Sequence, residues 1–243
     1  MILNIDFHVH SERSADGRST LEELVRAARA KGLHGFALTD HDLLSEPFEE
    51  DGFLIVPACE CSTSDGHIIG LFLLELPTIL KSQTGRLPTA REAVEEIHRL
   101  GGLAVWAHPY QRHSAIDEGT AALVDYIETV NARAAFKNTQ ANAQAEALAD
   151  RLSKPMLGGS DGHHASEVGN GLTEVDCPSR TLEGLRNALD EGRVTPVLVR
   201  NTPRWKKGLS QLRKRRRSRV GPIGLCKAYA YICYCILLDL IKE

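Results

Sequence analysis

The chain has 243 residues, of which 42% are hydrophobic and 25% charged, and its formal net charge is -3 at pH 7. This composition is typical of a soluble globular protein and excludes a disordered or fibrous chain. The length suits a single α/β barrel, a fold that takes roughly 200 to 250 residues. The charge is uneven, because residues 204–243 carry +9 and residues 1–203 carry -12. The basic segment predicts an anionic partner or a solvated surface.

Strand-like and helix-like runs alternate along the first 200 residues. Residues 2–10 alternate in hydrophobicity and predict the first strand, and Ser19 or Thr20 is expected to cap a helix that ends at Lys31. The further strands are expected at 35–39, 53–59, 68–73, 103–107, 126–130, 155–159 and 194–199, and the further helices at 89–100, 134–152 and 182–191. This alternation predicts a mostly parallel sheet, and seven or eight strands favour closure into a barrel.

The pattern changes after about residue 202. We therefore predict a barrel domain over residues 1–202 and a separate segment over residues 203–243. Residues 204–219 include nine basic side chains, and residues 220–241 are mostly apolar. The uninterrupted apolar run, residues 228–238, is shorter than the ~20 residues of a spanning helix, but the longer run over 223–241 approaches that length. The alternatives are attachment to an anionic membrane, packing against the barrel or a second subunit, and disorder.

The cysteines and the beginning of the chain bear on localisation. The six cysteines include no C-x-x-C pair, and the first residues enter the predicted strand without a targeting sequence. We interpret the cysteines as reduced and the protein as cytoplasmic, with the C-terminal segment as the candidate attachment to the inner membrane face.

Histidines and carboxylates collect at the ends of the predicted strands. The first strand ends in Asp6-Phe7-His8-Val9-His10, and residues i and i+2 of a strand face the same side, so His8 and His10 are expected to project together. The carboxyl ends of barrel strands are the usual place for an active site. The recurring side chains of this type are His8, His10, Asp16, His41, Glu60, His67, His108, Asp161 and His163.

Imidazole and carboxylate ligands together suit divalent cations such as Mn²⁺, Zn²⁺ or Fe²⁺. Nine such side chains are too many for one ion. The sequence therefore predicts a cluster of two or three cations in which a carboxylate serves as a bridge.

These motifs, in this order, resemble those of the PHP (polymerase and histidinol phosphatase) family over residues 4 to about 170. The resemblance implies a distorted (β/α)7 barrel with a trinuclear site at its C-terminal face. The basic and apolar C-terminal tail lies outside the resemblance and follows the barrel. It implies one metal at His8, His10, Glu60 and Asp161, a second at Glu60, His67 and His108, and a third at Asp16, His41 and His163. Many relatives have histidine at the position of Asp16, and the Asp-Gly pair here resembles the nucleotide-phosphatase-like branch.

The expected chemistry is hydrolysis of phosphate esters by a metal-bound hydroxide, because clustered cations neutralise phosphate oxygens and lower the pKa of water toward ~7. Asp40 and His163 are candidates for proton transfer. Arg133 and Arg112 are candidates for binding the substrate phosphate, since guanidinium groups bind phosphate bidentately. For Arg133, a helix cap or a surface salt bridge is the alternative.

Three functions remain open from the sequence. The first is a hydrolase of small phosphomonoesters, such as nucleotides. The second is an exonuclease-like phosphodiesterase that holds single-stranded nucleic acid with residues 204–243. The third is a non-catalytic, membrane-tethered metal-binding module, against which the complete set of nine ligands argues. The oligomeric state is not predicted.

Overall fold

A computed structural model of the chain describes residues 1–81, 86–111 and 116–241. Its strands are β1 (Ile2–Val9), β2 (Gly35–Leu38), β3 (Phe48–Glu50), β4 (Phe53–Thr63), β5 (Gly66–Leu71), β6 (Leu103–Ala107), β7 (Tyr126–Asn131), β8 (Met156–Gly159), β9 (Gly171–Asp176) and β10 (Val194–Leu198). They form one sheet in the order β10-β9-β1-β2-β4-β5-β6-β7-β8, with β3 paired to β4. Backbone hydrogen bonds between His10 and Gly162 (2.8 Å) and between Gly162 and His8 (3.2 Å) nearly close the sheet into a barrel.

The predicted barrel fold is confirmed, but the sheet is mixed rather than mostly parallel. The pairs β1–β2, β2–β4, β6–β7 and β7–β8 are parallel, whereas β4–β5, β5–β6 and β1–β9 are antiparallel. The expectation fails at β4 and β5 because only Ser64 and Asp65 separate them. Two residues are enough for a hairpin, whereas a parallel connection needs a dozen or more.

Seven α-helices accompany the strands in the described part of the chain. They are α1 (Leu21–Ala30), α2 (Ala90–Arg99), α3 (Glu118–Ala121), α4 (Ala141–Leu152), α5 (Leu182–Asp190), α6 (Arg204–Arg217) and α7 (Pro222–Leu240). Thr20 caps α1 in a capping box with Glu23, as the sequence predicts. Helix α4 begins later than predicted, because Asn138 accepts a hydrogen bond from the Gln140 backbone in a local turn that competes with the helix.

The apolar core lies inside the barrel and between the barrel and its helices. Large side chains such as Leu3 and Leu54 fill the interior at the amino ends of the strands. The outer face of β4 to β8 packs against α2 and α4, and Cys59 and Cys61 belong to that layer, as expected from strand alternation. The opposite, carboxyl ends of the strands are left to polar side chains.

Helix α6 lies against the barrel. Arg133 donates to the Ser210 hydroxyl (3.0 Å), and Arg217 donates to the backbone carbonyl of Ser14 (2.8 Å). Lys206 donates to the Ser166 hydroxyl (2.8 Å). Lys206 and Arg217 of α6 therefore bind the barrel, whereas Lys214 on the same helix is exposed.

Helix α7 packs along α6 and leaves most of its surface open. Asp239 accepts a hydrogen bond from the backbone of Trp205 (3.1 Å), which joins the two helices. Ile223, Leu237 and Leu240 are exposed by 75%, 54% and 65%. Among the described residues, α7 is the one helix whose length and apolar composition suffice to cross a membrane.

Candidate metal centre

The end of β1 brings two histidines into the barrel. His8 and His10 are fully buried, and their Nε2 atoms lie 3.1 Å apart. At this distance the two nitrogens cannot both carry a proton, so at least one presents a lone pair. Gly159 on β8 permits this arrangement, because a Cβ at that position would lie 2.5 Å from the Cβ of His8. The first strand therefore holds two nitrogen ligands in one place.

Glu60, on β4, lies at the centre of the site and is fully buried. Its Oε2 atom lies 3.4 Å from a ring nitrogen of His8, 3.2 Å from one of His10 and 3.0 Å from one of His41. Its Oε1 atom lies 2.7 Å from a ring nitrogen of His67 and 3.2 Å from one of His108. The carboxylate therefore has one oxygen in each of two groups of imidazoles, which is the arrangement of a bridging ligand.

The segment after β8 and the loop after β1 complete the cluster. Asp161 Oδ1 lies 3.6 Å from His10 Nε2, and His163 Nε2 lies 3.4 Å from Asp16 Oδ1. His41 Nε2 lies 3.9 Å from the same Asp16 oxygen. The structure thus brings all nine predicted side chains to one end of the barrel.

The backbone is strained where two of these side chains leave their strands. His108, directly after β6, has φ 30°, and Asp161, shortly after β8, has φ 51°. Residues other than glycine rarely adopt this left-handed conformation, which costs on the order of 1–3 kcal/mol and is concentrated at functional sites. The strain aims both side chains toward Glu60 and the β1 histidines.

The charges of the site favour ionised carboxylates. Burial would raise the pKa of Glu60, but the surrounding imidazoles, His67 first, hold it well below its usual range. Burial would also raise the pKa of Asp16, and the charge of His163 lowers it far below that range. Buried carboxylates that keep their charge need nearby cations.

Glu60 Oε2, Asp16 Oδ1 and His41 Nδ1 are among the buried polar atoms that have no hydrogen-bond partner in the described part of the chain. Although Glu60 Oε2 and His41 Nδ1 lie 3.0 Å apart, their orientation is not that of a hydrogen bond. Sets of three ligand atoms lie within 4.8 Å of one another in four groups: His10, His41 and His163; His8, Glu60 and His108; His8, His10 and Asp161; and His41, Glu60 and His67. Unpaired electron-pair donors gathered in this way fit divalent cations.

Glu128, on β7, is a functional residue that the sequence did not single out. Its Oε1 lies 2.9 Å from His8 Nδ1, and its Oε2 accepts a hydrogen bond from the His108 backbone (2.7 Å). A carboxylate at Nδ1 fixes the imidazole so that Nε2 carries the lone pair toward a metal. The signal was present, since Glu128 alternates with apolar residues on a buried strand, but nothing in the sequence paired it with His8.

Glu128→Gln is expected to reduce metal affinity and activity by about 10–100-fold, because an uncharged amide holds the His8 imidazole less firmly. Metal content by elemental analysis and kcat at saturating metal measure the two effects separately. Glu146→Gln, the same change at an exposed position on α4, is the control. A Glu128→Gln protein with wild-type metal affinity would contradict the positioning role.

Asp40, a predicted proton-transfer residue, binds two serines of the loop after β1. Asp40 is fully buried beside the cluster, and both its oxygens accept hydrogen bonds: from the backbone and hydroxyl of Ser11 (2.8 and 2.6 Å) and from the hydroxyl of Ser14 (2.8 Å). The Ser14 hydroxyl in turn lies 3.3 Å from His10 Nδ1. Asp40 therefore orders the loop after β1 and supports His10 from behind.

Of the two arginines predicted to bind the substrate phosphate, the structure describes Arg133. Arg112 lies outside the described residues. Arg133 lines the cavity beside the cluster, where its Nε and Nη2 donate to Glu167 (2.9 and 2.8 Å). It is 4% exposed, so its salt bridge is buried rather than on the surface.

Helix α6 adds two residues to the same cavity that the sequence did not connect with it. Lys207 and Gln211 line it together with Arg133 and seven of the nine predicted ligands. Lys207 is 7% exposed, and its ammonium lies 5.3 Å from the centre of the Phe136 ring. The barrel thus supplies the predicted ligands that line the cavity, and α6 supplies Lys207 and Gln211, which we call the roof of the cavity.

Comparison with known proteins agrees with this arrangement. Residues 6–58 match the family model of the PHP domain, and residues 139–194 match the model described as PHP-associated. An uncharacterized protein of Methanocaldococcus jannaschii, MJ1587, is 32% identical over 125 residues, which cover 44% of this chain and 68% of the relative. A probable phosphatase of Caldicellulosiruptor saccharolyticus is 32% identical over 79 residues, 27% of this chain and 33% of that protein.

The fold has similar solved structures. A two-domain protein from Bacteroides vulgatus, described as containing a predicted PHP-like metal-dependent phosphoesterase, aligns with a TM-score of 0.61 at 22% identity. The alignment covers 82% of this chain and 65% of that one, so this chain spans slightly less than two thirds of the two-domain protein. The barrel and its ligand cluster define a metal-dependent hydrolase. The chain belongs to the PHP family.

Proposed function

We propose that the chain hydrolyses the terminal phosphate of small phosphorylated molecules such as nucleotides. The observation that carries the proposal is the central position of Glu60, whose two oxygens face two groups of imidazoles at distances between 2.7 and 3.4 Å. A carboxylate placed in this way joins two metal sites, and paired cations are suited to displacement at phosphorus.

The proposed ligand sets are those that the resemblance to the PHP family implies. One cation would be held by His8, His10, Glu60 and Asp161, a second by Glu60, His67 and His108, and a third by Asp16, His41 and His163. The mixture of imidazole and carboxylate suits manganese, zinc or iron, and Asp16 shifts the third position toward the harder cations. Because the Nε2 atom of His163 faces Asp16, we assign His163 as a ligand and not as a proton donor.

Divalent cations bound there supply the charge that neutralises phosphate oxygens and the acidity that activates water. The chain's own contribution is to hold the phosphate. Arg133 and Lys207 place two positive charges on the wall of the cavity that holds the cluster. Glu167 fixes the guanidinium of Arg133 from behind, which reduces the entropy lost when a phosphate binds.

The shape of the cavity favours a monoester over an internal phosphodiester. Its volume is about 30 Å³, and α6 covers one side of it. Even when a terminal nucleotide is removed, the strand extends from the cleaved phosphodiester in two directions, whereas a terminal phosphate enters the site from one. This shape is our reason for preferring the small substrate to the exonuclease-like alternative.

A pair of adjacent histidines tests the proposal. His163→Ala is expected to remove one metal and nearly all phosphatase activity, measured on a panel of nucleotide and sugar phosphates after reconstitution with Mn²⁺, Zn²⁺ or Fe²⁺. His164→Ala is the matched control, because His164 is turned away from the cluster and contacts Ser166 (2.9 Å). A reconstituted wild-type protein without turnover on the whole panel would refute the proposed function.

A further inference from the structure

One side of α7 is an apolar surface that the described part of the chain leaves open to solvent. Its large side chains are between 42% and 75% exposed and belong to Ile223, Tyr229, Tyr234, Ile236, Leu237 and Leu240. At about 100° per residue these positions fall within half of the helix circumference, so they form one continuous surface, which we call the apolar face. Among the exposed residues of the helix, Lys227 is the one with a charged side chain. A continuous surface of this kind marks a site of interaction with a protein or a membrane.

Basic side chains border the apolar face at the end where α6 turns into α7. Lys214, Arg216 and Arg219 are exposed there, and Lys227 follows on α7 itself. The guanidinium of Arg216 lies 5.8 Å from the centre of the Tyr229 ring and donates to its hydroxyl, so this positive charge touches the apolar face directly. The segment that contains the two helices carries a net charge of +9. This border therefore complements a negatively charged partner.

Helix α7 is held along α6 at both of its ends. Near the C-terminal end, Asp239 pairs with Arg204 (3.4 Å), so the one acidic residue of the helix already has a basic partner. Near the N-terminal end, the carbonyl of Gly224 accepts a hydrogen bond from Arg215 (3.0 Å). Since α6 is in turn bound to the barrel, α7 cannot turn across a membrane without breaking these contacts. The apolar face is therefore presented sideways, along the length of the helix.

We propose that the apolar face docks onto an anionic lipid bilayer, with α7 lying in the plane of the membrane surface. A helix in this position buries its apolar side chains about 5–10 Å into the boundary between head groups and acyl chains. Tyr229 and Tyr234 suit that boundary, because a tyrosine has an apolar ring and a polar hydroxyl. The basic border binds the lipid phosphates, and each basic side chain near an anionic membrane strengthens the attachment.

A second copy of the chain fits the apolar face less well than a bilayer does. Two apolar faces could pack together, but each copy brings the same excess of positive charge to the contact. Like charges at an interface oppose association, whereas an anionic bilayer offers both an apolar interior and negative charge. The charged border is thus the observation that favours a membrane.

The first test is co-sedimentation of the full chain with two kinds of vesicle, one of phosphatidylcholine alone and one of equal parts phosphatidylcholine and phosphatidylglycerol. The protein is expected to bind the mixed vesicles at least about tenfold more tightly, and high salt is expected to weaken this binding because it screens the charges. Equal binding to both kinds of vesicle, or no binding to the mixed ones, overturns the proposal.

Leu237→Gln/Leu240→Gln is expected to weaken binding to the mixed vesicles by at least about tenfold, because two apolar side chains no longer enter the bilayer. If this variant does not fold, Ile223→Gln, at the most exposed position of the apolar face, gives the same readout. The matched control is Leu74→Gln/Leu87→Gln, which makes the same substitutions at leucines outside α6 and α7 that are 78% and 53% exposed. Wild-type binding by a folded apolar-face variant would contradict docking through that face.

Arg216→Gln/Arg219→Gln is expected to reduce the preference for mixed over neutral vesicles by about tenfold or more, because two charges of the basic border are lost. Arg26→Gln/Arg91→Gln is the control, since it removes two exposed arginines from α1 and α2. An unchanged preference in Arg216→Gln/Arg219→Gln would show that the border does not bind the lipid phosphates.

Two further readouts test the orientation of α7 and the identity of its partner. An alkaline carbonate wash is expected to release the protein from mixed vesicles, whereas a helix that has crossed the bilayer stays with the lipid and overturns docking in the plane. Light scattering after gel filtration gives the mass of the vesicle-free protein. A dimer that Leu237→Gln/Leu240→Gln converts to a monomer, together with no vesicle binding by the wild type, assigns the face to a second copy and overturns the proposal. None of these measurements depends on phosphatase activity, so the inference stands or falls independently of the proposed function.

Discussion

Glu60→Gln is expected to reduce phosphatase activity by more than about 10³-fold and to lower the bound metal content. The amide has the shape of the carboxylate but neither its charge nor its second acceptor oxygen. A single neutral hydrogen-bond donor to a reacting group contributes ~10²–10³ in rate, and a charged ligand shared by two metal positions should contribute more. Elemental analysis after gel filtration and initial rates on the best substrate measure the two effects.

The control for Glu60→Gln is Glu174→Gln, which makes the same change on an exposed position of β9. This variant is expected to keep both metal and activity. Near-ultraviolet circular dichroism monitors the fold of each protein. A Glu60→Gln protein with its full metal content and wild-type turnover would show that the carboxylate does not join the two metal positions.

Arg133→Gln is expected to weaken both the fold and the reaction. It leaves the buried Glu167 with Arg18 as its remaining guanidinium partner, and loss of one member of a buried ion pair costs about 3–5 kcal/mol of unfolding free energy. Removal of a charged contact to the phosphate is expected to lower kcat/KM by about 10–100-fold. Urea denaturation and steady-state kinetics at a temperature below both transitions measure the two losses.

Arg151→Gln is the control for Arg133→Gln, because it removes an arginine from an exposed ion pair. Arg151 pairs with Glu118 at 2.7 Å, but both side chains are about half exposed. Solvent screens such a pair, so the midpoint of unfolding and the kinetics should both remain at wild-type values. Equal destabilisation by the two changes would mean that the burial of the Arg133–Glu167 pair has no special effect.

The sequence predicts that the side chains of the metal centre converge at one end of the barrel, for a physical reason. His8 and Glu60 lie near the ends of the buried strands β1 and β4, and His108 directly follows β6. The carboxyl ends of barrel strands meet at one face. Strand position and side-chain alternation were therefore enough to predict that these residues converge. What the sequence could not provide was the pairing of each histidine with its supporting carboxylate, because Glu128 and His8 are 120 residues apart.

The sequence did not predict β9 or α6, because the local hydrophobic pattern of each is weak. β9 carries the charged residues Glu174 and Asp176 among its apolar ones, so its hydrophobic signal is weak. Helix α6 has the composition of a solvated segment, and its contact with the barrel depends on single polar pairs such as Arg133 with Ser210. Local patterns do not encode contacts of that kind between distant parts of a chain.

The roof that α6 places over the metal cavity has a consequence for biosynthesis. Lys207 and Gln211 follow His163, the last barrel residue of the cluster, by more than 40 positions. At a translation rate of ~5–20 residues per second, the chain reaches these two residues roughly 2–10 s after His163, and β9 and β10 are made in between. The roof is therefore the last part of the cavity wall to be synthesised, after every predicted metal ligand of the barrel.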